Sequence, residues 1–371
     1  MAIFKCFGVN TTRRKRLSSV SDAISVLENE GFCEDGYDAI GSMSIQTCNI
    51  DGKSIGVRKF RWEEMHIVTM NFLNSRVIGY GGFSTVYLAN FSDSSLGAIK
   101  MYSSSSERLS RIYKQELEIL LKLKHEHIVK LLGYCDDKDE GILVFEYISN
   151  GTLQEKLHGG NGKKGGKHPT LSWKNRMIIA YQLALALEYL HEKCSVQIVH
   201  GDIKASNILV DEELNCKLCD FGSAKLGFSS AVVTPSSRLM NQMMLGSPGY
   251  TDPHYMRTGL ASKKNDIYSY GVILLQLITG KEALSAHNGE RLTQKASRIL
   301  KDSSMVAEML DSRLGFGYEG VDLEEAKDIA SLSAMCLSET PSLRPSASDI
   351  LEILRNRIDC ISCLAAEKRN V

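Results

Sequence analysis

No charge of either sign dominates this chain. Its 44 lysines and arginines are matched by 44 aspartates and glutamates, so no global field favours a nucleic-acid partner. It also lacks an apolar run long enough to cross a bilayer. The longest, Met177 to Leu190, carries Gln182 and Glu188 and falls short of the ~20 residues a spanning helix needs; it predicts a buried helix. The opening Met1-Ala2-Ile3-Phe4-Lys5-Cys6-Phe7 is too short for the apolar core of a secretory leader, and Ala2 excludes N-myristoylation. The ten cysteines form no regular framework, which predicts free thiols in a reducing compartment. Cys216 with Cys219, and Cys360 with Cys363, have CxxC spacing. Neither pair has a neighbouring His or Cys pair to complete a zinc site, so both are read as incidental.

What remains is a chain of 371 residues, 43% apolar and 24% charged. That is enough for one two-lobed unit or two small domains with tail to spare. The first seventy residues hold a basic cluster (Arg13, Arg14, Lys15, Arg16), a Ser-rich patch and a weakly patterned Gly/Asp stretch. They are expected to be mostly disordered. Order is expected from near Arg61, with Trp62, Met65 and Met70 giving a short helix over 61–70 an apolar side. Strands are predicted at Arg76–Ile78, Thr85–Ala89, Leu96–Lys100, Ile128–Leu132 and Ile142–Tyr147, and a helix at Ile112–Leu123 with Ile112, Leu117, Leu120 and Leu121 inward. Beyond Gly151 the pattern turns helical, most clearly at Met177–Leu190, Tyr268–Leu277 and Ala326–Cys336. The Gly/Lys-rich run Gly159–Lys167 is read as a solvated surface insertion. A strand-rich part followed by a helix-rich part predicts an α+β chain with a small lobe on a large one.

Four groups of residues carry chemistry. Gly79-Tyr80-Gly81-Gly82-Phe83-Ser84 lies between two strands, where Gly79 and Gly81 would let backbone amides approach phosphates and Val86 could pack on an adenine ring. Alone, such a turn is equally an ordinary hairpin. Lys100 ends an apolar strand and pairs best with Glu116 on the next helix, with Glu118 as the competitor; the pair would aim an ammonium at the ATP α- and β-phosphates. In His200-Gly201-Asp202-Ile203-Lys204-Ala205-Ser206-Asn207, Asp202 can accept or orient the proton of a hydroxyl, and Lys204 can neutralise charge on a transferring phosphoryl group. Asn207, with Asp220 of Asp220-Phe221-Gly222, supplies oxygen donors suited to Mg²⁺. A polar turn and an unrelated tripeptide would not explain the glycine loop, Lys100 and the order of all four.

With these residues in place, positions 72–357 resemble a eukaryotic protein kinase, close to the plant receptor-like kinases. The wording is specific at Gly79–Tyr87, His127–Cys135, Tyr147–Leu153, Gly246–Tyr250 and Lys264–Val272. The resemblance implies the bilobal protein kinase fold, with an N-lobe at 72–147, a C-lobe at 148–357, an N-terminal extension at 1–71 and a tail at 358–371. It implies an adenine pocket of Ile78, Val86, Ala98 and Leu209, with Phe145 as gatekeeper before the hinge Glu146-Tyr147-Ile148. Lys204 and Ser247 imply Ser/Thr substrates, and Asp266 is implied to brace the catalytic loop. Ser223, Ser229, Ser230, Thr234, Ser236 and Ser237 fall where activating phosphorylation occurs in the family. With neither ectodomain nor membrane span, the chain is similar to a receptor-like cytoplasmic kinase. The implied cofactors are ATP with Mg²⁺ or Mn²⁺, and the implied partners are protein substrates and an upstream receptor-type kinase.

Two positions and one segment depart from the family pattern. Gly201 replaces the Arg that usually meets a phosphorylated activation loop, which resembles the non-RD subset. His254 ends an Ala-Pro-Glu-like motif (Asp252-Pro253-His254) where the family has Glu. Arg344, the expected partner of that Glu, must then find another acceptor or leave the substrate-binding segment less firmly held. The segment from Asp220 to Pro253 is long, with Met240, Met243 and Met244 near its tip. Cys6 and the cluster Arg13–Arg16, with Ser19 close by, leave two readings open: a basic tail, or a reversible anchor to the plasma membrane of a cytoplasmic protein. Cys219, beside Asp220, is expected to be a structural thiol rather than a reactive one. The expected function is ATP-dependent Ser/Thr protein phosphorylation in plant receptor-linked signalling. The alternative is a pseudokinase scaffold that still binds ATP.

Overall fold

The computed structural model describes residues 47–50, 53–102, 107–138, 140–158, 170–227, 246–315 and 320–367. The expectations for Cys6, Arg13–Arg16, Ser19, the run 159–167, the sites from Ser229 to Ser237 and Met240, Met243 and Met244 lie outside them.

The N-terminal part is a seven-stranded sheet in the order β1-β2-β6-β7-β5-β4-β3. Its strands are β1 (Thr47–Ile50), β2 (Lys53–Lys59), β3 (Val77–Tyr80), β4 (Ser84–Asn90), β5 (Leu96–Tyr102), β6 (Leu131–Cys135) and β7 (Ile142–Glu146). β3, β4 and β5 form an antiparallel meander, and β7 continues it from β5. Helix α1 (Trp62–Thr69) precedes β3, and α2 (Glu107–Leu120) follows β5. α2 buries Leu109, Tyr113, Glu116, Ile119 and Leu120, a stripe spaced three and four residues apart along one side of a helix. The side predicted through Ile112, Leu117 and Leu121 is only half-buried, because the true stripe is rotated toward Tyr113 and Glu116.

Two expectations about the small lobe are corrected. Order was expected from Arg61, but β2 lies upstream and pairs in parallel with β6, Arg58 opposite Gly133 and Lys59 opposite Tyr134. A Cβ on Gly133 would sit 2.3 Å from the Arg58 carbonyl oxygen and from the Phe60 ring, so only glycine admits this added strand and the buried Phe60 behind it. The strand predicted at Ile128–Leu132 begins three residues later, at Leu131. Ile128 and Val129 are buried for a different reason: they lie against Leu218, whose carbonyl accepts from the Val129 amide at 2.9 Å.

The rest of the chain is mainly helical: α3 (Leu153–His158), α4 (Trp173–Glu188), α5 (Pro253–Thr258), α6 (Lys263–Thr279), α7 (Leu292–Lys295), α8 (Ser297–Lys301), α9 (Leu323–Cys336), α10 (Ala347–Arg357) and α11 (Asp359–Glu367). α4 and α6 are buried nearly all round, which makes them the axis of this part. α6 starts on a capping box between Ser262 and Asn265 and stops at Gly280, whose φ of 62° is left-handed. The short strands β8 (Ile198–Val199), β9 (Ile208–Val210), β10 (Cys216–Leu218) and β11 (Lys225–Leu226) pair β9 with β10 and β8 with β11. Among the described residues, no helix is long and apolar enough to cross a membrane.

Candidate active site

Lys100 sits on β5, and Glu116 on α2 is buried opposite it. The Lys100 Nζ donates to Glu116 Oε1 and Oε2, both at 2.9 Å, and to Asp220 Oδ1 at 2.8 Å. Burial alone would pull the Lys100 ammonium down, but the carboxylates of Asp220 and Glu116 outweigh it and hold the lysine charged, well above its ordinary value. Burial pushes the Glu116 carboxyl up, against the pull of Lys100. Glu118 is exposed and pairs with Lys122 at 2.8 Å, so Glu116 is the lysine's partner.

Asp202, Lys204 and Asn207 lie on the loop between β8 and β9. Lys204 Nζ donates to Asp202 Oδ2 at 2.6 Å and to Ser247 Oγ at 2.9 Å; Ser247 Oγ donates to Asp202 Oδ1 at 2.7 Å. Asn207 Nδ2 donates to the Asp202 carbonyl at 2.9 Å and to Asp202 Oδ2 at 3.2 Å. Among the described residues, Asn207 Oδ1 is buried without a hydrogen-bond partner. An orphaned acceptor costs free energy in a protein interior unless a donor, a water or a cation meets it. It fits a divalent cation, which asks for few protein oxygens when phosphates complete its shell. Asp220, at a φ of 66°, lies two residues beyond β10, and its Oδ1 accepts from Lys100 Nζ at 2.8 Å.

The loop is held from beneath. Asp266, the fourth residue of α6, is buried; its Oδ2 accepts from His200 N at 2.8 Å, its Oδ1 from Gly201 N at 2.9 Å, and its Oδ2 also contacts His191 Nε2 at 2.9 Å. Burial works to raise this carboxyl, but the His191 contact and the backbone donors bring it below its ordinary value. His200 reaches the Cys219 carbonyl at 3.1 Å and packs on Phe221 at 4.8 Å between ring centroids. The loop between β8 and β9 is thereby tied to the segment around Asp220. Gly201 has a φ of +78°, and a Cβ there would lie 2.9 Å from the Ser223 carbonyl oxygen. The departure at 201 thus matches a left-handed backbone pressed against the next segment.

The expected adenine-pocket residues Ile78, Val86, Ala98, Phe145, Ile148 and Leu209 are all buried. Ala98 pairs directly with Phe145 across β5 and β7. Glu146 joins Lys217 Nζ at 2.9 Å and the Lys130 amide at 2.8 Å, which fixes the turn after β7. In the glycine loop the Gly81 amide donates to the Ser84 carbonyl at 2.7 Å; Tyr80 and Phe83 are exposed. Cys219 is a buried thiol.

The question left by His254 is answered by Asp252. Arg344 donates from Nη1 to Asp252 Oδ2 at 2.6 Å and from Nη2 to Asp252 Oδ1 at 2.9 Å, with both side chains buried. The same carboxylate caps α5 by accepting from His254 N at 2.8 Å. Residues missed from sequence are Asp252, His191, Tyr102, whose hydroxyl donates to Glu116 Oε2, and Gln115, which donates to the Ala224 carbonyl at 2.7 Å.

A strand-rich lobe bearing a buried lysine–carboxylate pair, above a helical lobe bearing an Asp-Lys-Asn loop, defines a nucleotide-dependent phosphoryl transferase. Residues 72–354 match the model of the protein kinase domain. The salt tolerance receptor-like cytoplasmic kinase 1 of Oryza sativa subsp. japonica is 45% identical over 363 residues, covering 96% of this chain and 93% of that relative. A probable receptor-like protein kinase of Arabidopsis thaliana is 49% identical over 319 residues, 83% of this chain and 90% of the relative. A second such Arabidopsis kinase is 37% identical over 322 residues, 87% of this chain and 46% of its own length. The chain belongs to the protein kinase family. It is an ATP-dependent protein serine/threonine kinase of plant signalling that uses a divalent cation and acts on protein substrates. The scaffold alternative finds no support in these relatives.

Proposed function

We propose that Asp202 orients the substrate hydroxyl and accepts its proton as the ATP γ-phosphoryl group is transferred. The buried Asn207 Oδ1, without a hydrogen-bond partner among the described residues, carries this reading furthest, because a cation beside Asp202 would satisfy it. Asn207 and Asp220 would hold Mg²⁺, which when bound neutralises charge on the nucleotide phosphates; Mn²⁺ suits the same oxygen donors. Lys100, fixed by Glu116, holds the α- and β-phosphates, and Lys204 offsets charge on the phosphoryl group in flight. Gly79 to Ser84 close over the phosphates, while Ile78, Val86, Ala98, Leu209 and Phe145 enclose the adenine ring and the Glu146–Ile148 backbone binds its edge. Residues 72–357 are the unit that carries the reaction.

Gly201 offers no side chain to an activation-segment phosphate, in keeping with non-RD control. An upstream receptor-type kinase is the partner proposed for this cytoplasmic enzyme, with Cys6 and Arg13–Arg16 as a peripheral contact to the plasma membrane; absence of acyl label on Cys6 removes that contact. A metal titration tests the central assignment. Asn207→Ala is expected to raise the half-saturating Mg²⁺ concentration roughly tenfold, about the effect of losing one partner to a charged group, and an unchanged Mg²⁺ requirement contradicts it.

A further inference from the structure

Tyr102 lies two residues beyond Lys100 on β5, so strand alternation places both on one face. The ring is buried, 3% exposed, and its hydroxyl donates to Glu116 Oε2, an oxygen that also accepts from Lys100 at 2.9 Å. The Lys100 ammonium stands 5.1 Å from the ring centroid. Tyr102 is held in turn from both sides: its amide donates to the Gly141 carbonyl at 2.9 Å, and it pairs with Ser84 at the end of the glycine loop. Tyr113, one turn ahead of Glu116, packs 5.7 Å from the Tyr102 ring and donates to the Cys135 carbonyl at 3.2 Å.

We propose that Tyr102 is a positioning residue that holds Glu116, and through it Lys100, in the phosphate-binding arrangement. The proposal rests on the reading of Lys100 and Glu116 as the phosphate clamp. Lys100 has two carboxylates to choose between, Glu116 and Asp220, at nearly equal distance. A hydroxyl aimed at Glu116 from the lysine's own strand fixes the orientation of that carboxylate and ties α2 to β5. No charge from the activation segment is needed for this tie. That matters in a chain whose residue 201 is glycine, because the clamp is assembled from strand and helix contacts already in place.

Tyr102→Phe removes the hydroxyl and keeps the ring, and Tyr113→Phe removes the neighbouring hydroxyl that does not touch Glu116. Both variants of the full chain, with Lys100→Ala, are assayed for KM of ATP, KM of a protein substrate and kcat. They are assayed at a temperature where circular dichroism shows each folded. Tyr102→Phe is expected to raise the ATP KM roughly tenfold, with the protein-substrate KM within about twofold, and to speed deuterium exchange in 107–120 without nucleotide. Tyr113→Phe is expected to leave the ATP KM within about twofold. An inactive Lys100→Ala beside a Tyr102→Phe with unchanged ATP KM and exchange overturns the role of Tyr102. Equal changes in both KM values also overturn it, as they indicate a general packing defect. Lys100→Ala with wild-type kinetics overturns the clamp reading itself.

Discussion

Arg344 and Asp252 form a buried, two-pronged ion pair across 92 residues of sequence. The pair fastens the start of α5 to the segment ahead of α10. Arg344 Nε also donates to the Ser338 carbonyl at 2.8 Å and Nη1 to the Lys264 carbonyl at 2.9 Å, so every nitrogen of the guanidinium is engaged. Removing the carboxylate with Asp252→Ala strands a buried charge and is expected to cost about 3–5 kcal/mol. His254→Glu, which restores the family's letter without a vacant partner, is expected to change stability by less than about 1 kcal/mol and to preserve activity. Urea unfolding and a kinase assay check both. A large loss from His254→Glu means that His254 has a role of its own.

Gly201→Arg puts the residue common elsewhere in the family into a left-handed backbone with the Ser223 carbonyl at contact distance. The expected outcome is a stability loss of about 1–2 kcal/mol from the backbone alone, read as a lower urea midpoint, with no gain in activity. A more active, equally stable variant would show that this backbone relaxes freely.

Stability should decline in acid in two stages. Burial pushes His125 and His158 down from 6.5 to about 4. The unfolded chain therefore binds more protons below 6.5, so their contribution is complete above 6.5 and is lost as pH falls to about 4. Burial pushes Asp311 up, but hydrogen bonds from Arg313 and Arg176 outweigh it and bring it from 3.8 down to about 2. Its contribution is present above 3.8 and is lost between there and about 2. The urea midpoint is expected to fall steadily from pH 7 to 4 and again below 4. His158→Gln should flatten part of the first stage, and an unchanged slope in that variant contradicts the assignment.

The residues proposed for catalysis could be read from the sequence because they lie close along the chain: Asp202, Lys204 and Asn207 share one loop, and Asp220 lies two residues beyond β10. Lys100 and Glu116 needed only a strand followed by a helix. Asp252 was not legible as the partner of Arg344, because a position pattern reports which letter is missing and not which neighbour reaches the same guanidinium. Tyr102 was hidden by its ordinary place in an apolar strand; its spacing of two from Lys100 was the available signal. β2 was missed because Lys53–Lys59 holds only two apolar side chains, Ile55 and Val57, around Gly56, and the glycine that receives it, Gly133, lies far along the chain.

The most direct measurement is the rate of γ-phosphoryl transfer from ATP to protein serine and threonine by the purified chain with Mg²⁺, compared with Asp202→Asn. Wild-type transfer at least ~10²-fold faster than the variant is predicted from the loss of a positioned base. Equal rates would contradict the assignment of Asp202.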